Sequence, residues 1–158
     1  MPIFGRREHH GRSEPAPPAS DADWSLVEAA YDGRPMLLRI NSALAPLAGD
    51  RRYPLRAALA VRCNKPDARG FPSPADSGAL SRFEDEFVAL FCPDPATLFA
   101  AVITTNAMRE FVFYTVDEPS FRARFRGWAE TPKSHRVQML IERDPSWSVY
   151  RKLTGRPT

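Results

Sequence analysis

Along YPLRAALAVR the chain alternates. Leu55, Ala57, Leu59 and Val61 fall on one side; Arg56, Ala58, Ala60 and Arg62 fall on the other. A period of two is that of a strand. WSLVEAAY and PMLLRIN flank the turn-forming Asp32-Gly33-Arg34 and predict a hairpin. TLFAAVITT and REFVFYTV are rich in β-branched and aromatic residues and predict a second hairpin across Asn106-Ala107. SHRVQMLIE supplies the last strand.

Elsewhere the apolar spacing lengthens to three and four. Leu80, Phe83, Phe87 and Leu90 make one stripe and predict a helix over 75–91, stopped by Pro93 and Pro95. Phe121, Phe125 and Trp128 line a second helix, capped by Asp117, with Pro119 in its first turn. A third helix of about ten residues is predicted at the end, too short to persist alone. Asp144 is its N-cap and Pro145 its first residue. Trp147, Tyr150 and Leu153 or Thr154 then share a face, Ser148 falls off it, and Gly155 closes the helix. Trp147 and Tyr150, with Asp144, are therefore read as structural anchors.

The order is ββ, then βαββαβ, then α. This is an α+β chain whose middle six elements, from about residue 53 to 142, predict a ferredoxin-like βαββαβ sandwich. An extra N-terminal β-hairpin precedes it and the short C-terminal helix follows. Phe99, Ala101 and Ile103 are apolar, and so are Ala100 and Val102 between them. A sheet with one wet face alternates, so both faces of the central hairpin are expected to be covered. The C-terminal helix is the nearest cover; a second copy of the chain, in a homodimer, is the competing one.

Composition changes this picture only at the edges. EPAPPAS lacks the apolar groups that repay ordering, so residues 1–21 are expected to form a disordered Pro-rich tail and 22–158 a single domain. No apolar run approaches the roughly 20 residues of a membrane helix, and the N-terminus has no apolar signal core. The expected location is the cytoplasm. Positive charge is almost all arginine, with Ala and Pro abundant, the coding bias of a GC-rich bacterial genome. A net charge of +3 does not mark a nucleic-acid binder. Cys63 and Cys92 are too few for a zinc site or a disulfide framework.

The chemistry-bearing residues are sparse. There is no G-x-S-x-G elbow, P-loop, H-E-x-x-H or Rossmann glycine pattern, and neither cofactor nor metal is expected. His9 and His10 lack partners as metal ligands, and His135 reads as a surface or structural histidine. Glu84, Asp85 and Glu86 read as a solvated helix face. Arg39, Arg56 and Arg62 are the candidate binding residues, if they converge on one sheet face and clamp an anion or acidic partner. Arg122, Arg124 and Arg126 lie beside aromatics that are at core spacing rather than interleaved for base stacking.

The Trp24 strand, the Gly70-Phe71-Pro72 loop, the helix bearing Glu84, the FVFY strand and the closing DPSWSVYRKL resemble the DUF695 family of bacterial domains of unknown function. The resemblance covers roughly residues 23–153, and FVFY and DPxWxxY are its most specific parts. It implies a link to RNA decay, because some members are joined to a domain similar to the RNase E activity regulator B type. It transfers no catalytic residue. The reading is a cytoplasmic, non-catalytic protein-interaction or regulatory module whose partner is another protein. The alternatives are an enzyme or small-molecule binder with an unrecognised site, or an RNA-decay-linked regulator.

Overall fold

The computed structural model describes residues 23–155. The expected N-terminal tail, with His9 and His10, lies outside them. Among the described residues, six antiparallel strands form one sheet: β1 (Trp24–Tyr31), β2 (Arg34–Asn41), β3 (Leu55–Arg62), β4 (Thr97–Thr105), β5 (Met108–Thr115) and β6 (Val137–Arg143). They lie in the order β1-β2-β4-β5-β3-β6. Helices α1 (Pro74–Phe91), α2 (Glu118–Ala129) and α3 (Ser148–Leu153) complete an α+β fold.

Each element follows from local chemistry. The β1–β2 hairpin turns on Asp32 and Gly33, both left-handed, the two-residue turn whose twist suits a hairpin. Ser73 caps α1, its side chain accepting from the Asp76 N–H; Asp117 caps α2 in the same way through Ser120. The β4–β5 turn also places two residues at positive φ, Asn106 and Ala107. For Ala107 that conformation is costly. The turn is gripped by the 63–73 loop: Ala107 N–H donates to the Gly70 carbonyl at 2.9 Å, and Cys63 N–H donates to the Ala107 carbonyl at 2.8 Å.

Both faces of the central strands are covered. Under α1 and α2, Ala57, Leu59, Val61, Val102, Phe111 and Phe113 pack against Leu80, Phe83, Phe87, Phe91 and Phe121. On the opposite face Leu38, Ile40, Leu98, Ala100, Val112 and Tyr114 pack against Trp147 and Tyr150. The 3-10 segment Ser42–Leu47 brings Leu44 to that second core. A bulge between Phe99 and Ala101 lets Ala100 and Ala101 both enter it.

The end of the chain departs from expectation. The last helix spans six residues, and it starts after Trp147 rather than at Asp144. Trp147 is left-handed, φ 57°, and its N–H closes a turn onto the Asp144 carbonyl at 2.9 Å. Pro145 therefore sits in that turn, not in the helix. Asp144 still satisfies the helix start, from further back: its carboxylate accepts from Ser148 N–H at 2.8 Å and Val149 N–H at 3.2 Å. Gly155 is left-handed past the end, as expected of a closing glycine.

Candidate functional site

The three candidate arginines do not converge. Arg39 pairs in register with Val102, so it stands on the face under α1. There it donates both ways to Glu84 at 2.9 Å and lies 5.1 Å from the Trp24 ring centre. Arg56 pairs in register with Tyr114, on the opposite face. It donates to Glu142 at 2.7 Å and has Glu110 at 3.8 Å. Arg62 ends β3 on that second face, exposed. A residue's parity along its strand decides its face, and Arg39 sits on a strand whose parity relative to β3 cannot be read without the sheet order.

No sequence pattern marks Glu110. Burial on the sheet pushes its carboxyl up, and the nearby Arg56 guanidinium only partly opposes this. Arg109, on the next residue and the other face, is pushed down by burial, and it donates to Thr104 at 2.9 Å.

His135 is buried, and its partner is a carboxylate 59 residues away. Its Nε2 lies 2.7 Å from Asp76 Oδ1, and its Nδ1 lies 2.9 Å from Ser134 Oγ. Asp76 is 3% exposed and also accepts the backbone N–H groups of Asn64, at 3.0 Å, and Lys65, at 2.8 Å. Burial pushes the Asp76 carboxyl up; the His135 and backbone hydrogen bonds outweigh it and hold the group below the usual range. Ser, His and Asp stand in hydrogen-bonded order, but Ser134 precedes His135 in the chain, so their contact is local. The shared carboxylate ties the end of β3, the start of α1 and the approach to β6 together. The S-x-x-D spacing of Ser73 and Asp76 marks a helix start in sequence; nothing local marks His135 as its partner.

The second arginine set is engaged on the surface. Arg122 pairs with Glu118 at 2.8 Å and Arg124 with Asp94 at 3.3 Å. A cavity of about 130 Å³ lies between the end of α1 and the start of α2, lined by Phe91, Asp94, Thr97, Thr115 and Arg124 among others. Ligand pockets usually run to roughly 300–1,000 Å³. Among the described residues no group of three or more His, Cys, Asp or Glu side chains could hold a metal, and no helix is long and apolar enough to cross a membrane.

What the sheet does leave available is an edge. Among the described residues β1 has β2 as its single neighbour, and all of it beyond Trp24 is exposed. Leu26 is 65% exposed and Tyr31 69%. The two-residue turn makes Tyr31 and Arg34 a hydrogen-bonded pair. Counting back by twos, Ala29, Val27 and Ser25 direct their N–H and C=O toward β2. Trp24, Leu26, Glu28 and Ala30 direct theirs outward.

No curated protein and no solved structure matches the chain. A family model does match, over residues 22–153. It covers both hairpins, the helices and the DPSWSVY closure, and the chain belongs to that family, the family of unknown function DUF695.

Proposed function

We propose that this chain is a non-catalytic protein-interaction module that takes its partner by strand addition at β1. The β1 edge carries the proposal. Natural sheets blunt their edges with lysine, proline, bulges or very short strands, because open N–H and C=O rows template pairing. β1 runs for eight residues, WSLVEAAY, with Glu28 as its only charge and no proline. Main-chain hydrogen bonds would give such a contact its affinity, and Leu26, Val27 and Tyr31 its selectivity.

The platform behind the edge is a ferredoxin-like sandwich over residues 55–143. The antiparallel order β4-β5-β3-β6, with α1 and α2 packed on one face, supports that reading. A reducing cytoplasm suits two unpaired thiols. Engagement of Arg122 and Arg124 by acidic neighbours argues against an RNA surface on α2.

Glu28→Pro tests the function. It deletes one outward N–H and leaves the β1–β2 ladder intact, since proline is tolerated at a solvent-side edge position. The expected result is an unchanged melting profile with loss of the proteins captured from host lysate by the immobilised chain. Retention of the same captured set by Glu28→Pro would falsify strand addition at β1.

A further inference from the structure

We infer that the end of the sheet where β2 begins and β3 finishes is a docking surface for an acidic protein segment, held by Arg34, Arg62, Lys65, Arg69 and Arg136; the choice of a protein as occupant draws on the strand-addition reading above.

A chain of contacts places the five along one end. Arg34 opens β2, and its guanidinium donates to the Asn106 side chain in the β4–β5 turn. That turn is joined to the 63–73 loop through Gly70 and Cys63. Arg62 pairs in register with Met108, and its N–H donates to the Arg136 carbonyl at 3.2 Å. From β2 to β6 this crosses four strand spacings, or roughly 20 Å. Lys65 and Arg69 come from the loop, whose backbone is fixed. Asp76 accepts the Lys65 N–H at 2.8 Å, and Asp67 accepts those of Arg69 at 2.8 Å and Phe71 at 3.0 Å.

Charge at this end is unbalanced. All five residues are exposed, and among the described residues none of them forms an ion pair. Elsewhere Arg39, Arg52, Arg56, Arg122 and Arg124 each have a carboxylate partner. The segments that carry the five, 31–34, 62–73 and 134–136, hold Asp32 and Asp67 as their carboxylates. Asp67 is engaged by backbone N–H groups, and Asp76, next along, is buried against His135. Cations left without counter-charges concentrate an anion and speed its arrival. Four of the five are arginine, whose fork takes a carboxylate by two parallel hydrogen bonds.

Two features select a protein segment. Single-stranded nucleic acid is held by open rings interleaved with the cations, but the Phe71 ring has the Arg69 guanidinium 4.7 Å from its centre. The strip also begins where the β1 edge ends, since Tyr31 and Arg34 are partners in the β1–β2 register. A segment added along β1 leaves the edge at Tyr31 and meets these cations next.

The experiment follows a labelled deca-glutamate peptide on the purified full chain by fluorescence anisotropy, with oligo-uridylate and phosphatidylserine vesicles as competing anions. The peptide is expected to bind, more weakly as salt rises. Arg62→Glu combined with Arg136→Glu should lower its affinity roughly tenfold or more, and Arg69→Glu should act in the same direction. Melting should not change, because all three positions are exposed and outside any ion pair. Arg51→Glu, exposed beyond the other end of β3, should leave binding unaltered. No binding of the peptide, or an equal loss in Arg51→Glu, overturns the docking surface. Tighter binding of the RNA or the vesicles through the same residues overturns the protein as its occupant. Glu28→Pro reads the edge separately. If it abolishes capture from lysate and the peptide does not bind, strand addition stands and the acidic segment falls. If it leaves capture unchanged while the peptide binds through the strip, strand addition falls and the acidic dock stands.

Discussion

The indole of Trp147 lies flat on the ring of Tyr114, centroids 3.9 Å apart and planes 8° from parallel. Both side chains are wholly buried. The Trp147 indole N–H donates to the Tyr53 carbonyl at 2.9 Å, and the Tyr114 hydroxyl donates to Asp144 at 2.7 Å. The stack clamps α3 onto the sheet face that α1 and α2 leave open. It also accounts for the left-handed Trp147 backbone: seating the ring outweighs a local cost of roughly 1–3 kcal/mol.

Trp147→Ala is therefore expected to cost about 3–5 kcal/mol, a large part of the roughly 5–15 kcal/mol that holds a domain together. Chemical denaturation reads this directly. Ser148→Ala lies off the packed face but is not silent, because its hydroxyl donates to Asp144 at 2.8 Å; a loss of about 1 kcal/mol is expected. Lys152→Ala, at an exposed position, is the neutral control. An unchanged midpoint for Trp147→Ala would mean that the stack does not hold α3.

Much of this architecture is legible in the chain itself, because periodicity reports faces. The alternation of Leu55 to Arg62 marks β3, and apolar residues on both sides of TLFAAVITT mark a sheet covered twice. The start of α3 is not legible, because Asp-Pro normally reads as a cap and first residue, whereas the left-handed turn at Trp147 depends on the distant Tyr114. That Arg39 stands on the face opposite Arg56 and Arg62 is not legible in the chain for a related reason: faces can be compared between strands only when their order is known. His135 with Asp76, and the burial of Glu110, are contacts between distant segments that carry no local signal.

Acid should unfold the domain through two carboxylates in particular. Burial pushes Asp144 up, but hydrogen bonds from Tyr114, Ser148 and Val149 overcome it and hold the carboxyl low; Asp76 is held low in the same sense. A carboxyl lower in the folded than in the unfolded state contributes stability above the unfolded value, about 3.9, and loses it as pH falls through the folded value. Melting temperature should therefore drop steeply below about pH 4. Asp144→Asn should melt lower at pH 7 and show a shallower acid slope. A parallel slope in the variant would remove Asp144 from the account.

Gly70 has φ +82°, and a Cβ there would meet the Ala107 nitrogen at 3.3 Å and the Asn106 backbone at 3.4 Å. Gly70→Ala should thus destabilise by about 1 kcal/mol or more, from left-handed strain plus displacement of the turn it grips. Ala107→Gly should act oppositely, gaining up to about 1 kcal/mol by relieving the positive φ of Ala107. Thermal melts of both variants check the pair. Equal losses for the two would show that side-chain packing at Ala107, not backbone strain, governs the turn.

Glu110 presents the reverse electrostatics of Asp144. Burial raises its carboxyl, and Arg56, 3.8 Å away, offsets this only in part. A carboxyl higher in the folded than in the unfolded state binds its proton more tightly when folded. Its ionisation then costs stability as pH rises, and the cost is absent where the group is protonated in both states. Glu110→Gln removes the ionisation and keeps the shape. Arg56 retains Glu142 at 2.7 Å, so the substitution strands no guanidinium. The variant should match or exceed the wild-type melting temperature at pH 7, by a few degrees at most for a change within about 1 kcal/mol. The advantage should shrink toward zero near pH 4, as the wild-type carboxyl takes up its proton. Measuring both proteins at the two pH values decides it: a variant less stable at pH 7 and unchanged at pH 4 would mean that the Arg56 pairing outweighs burial and that ionised Glu110 supports the sheet.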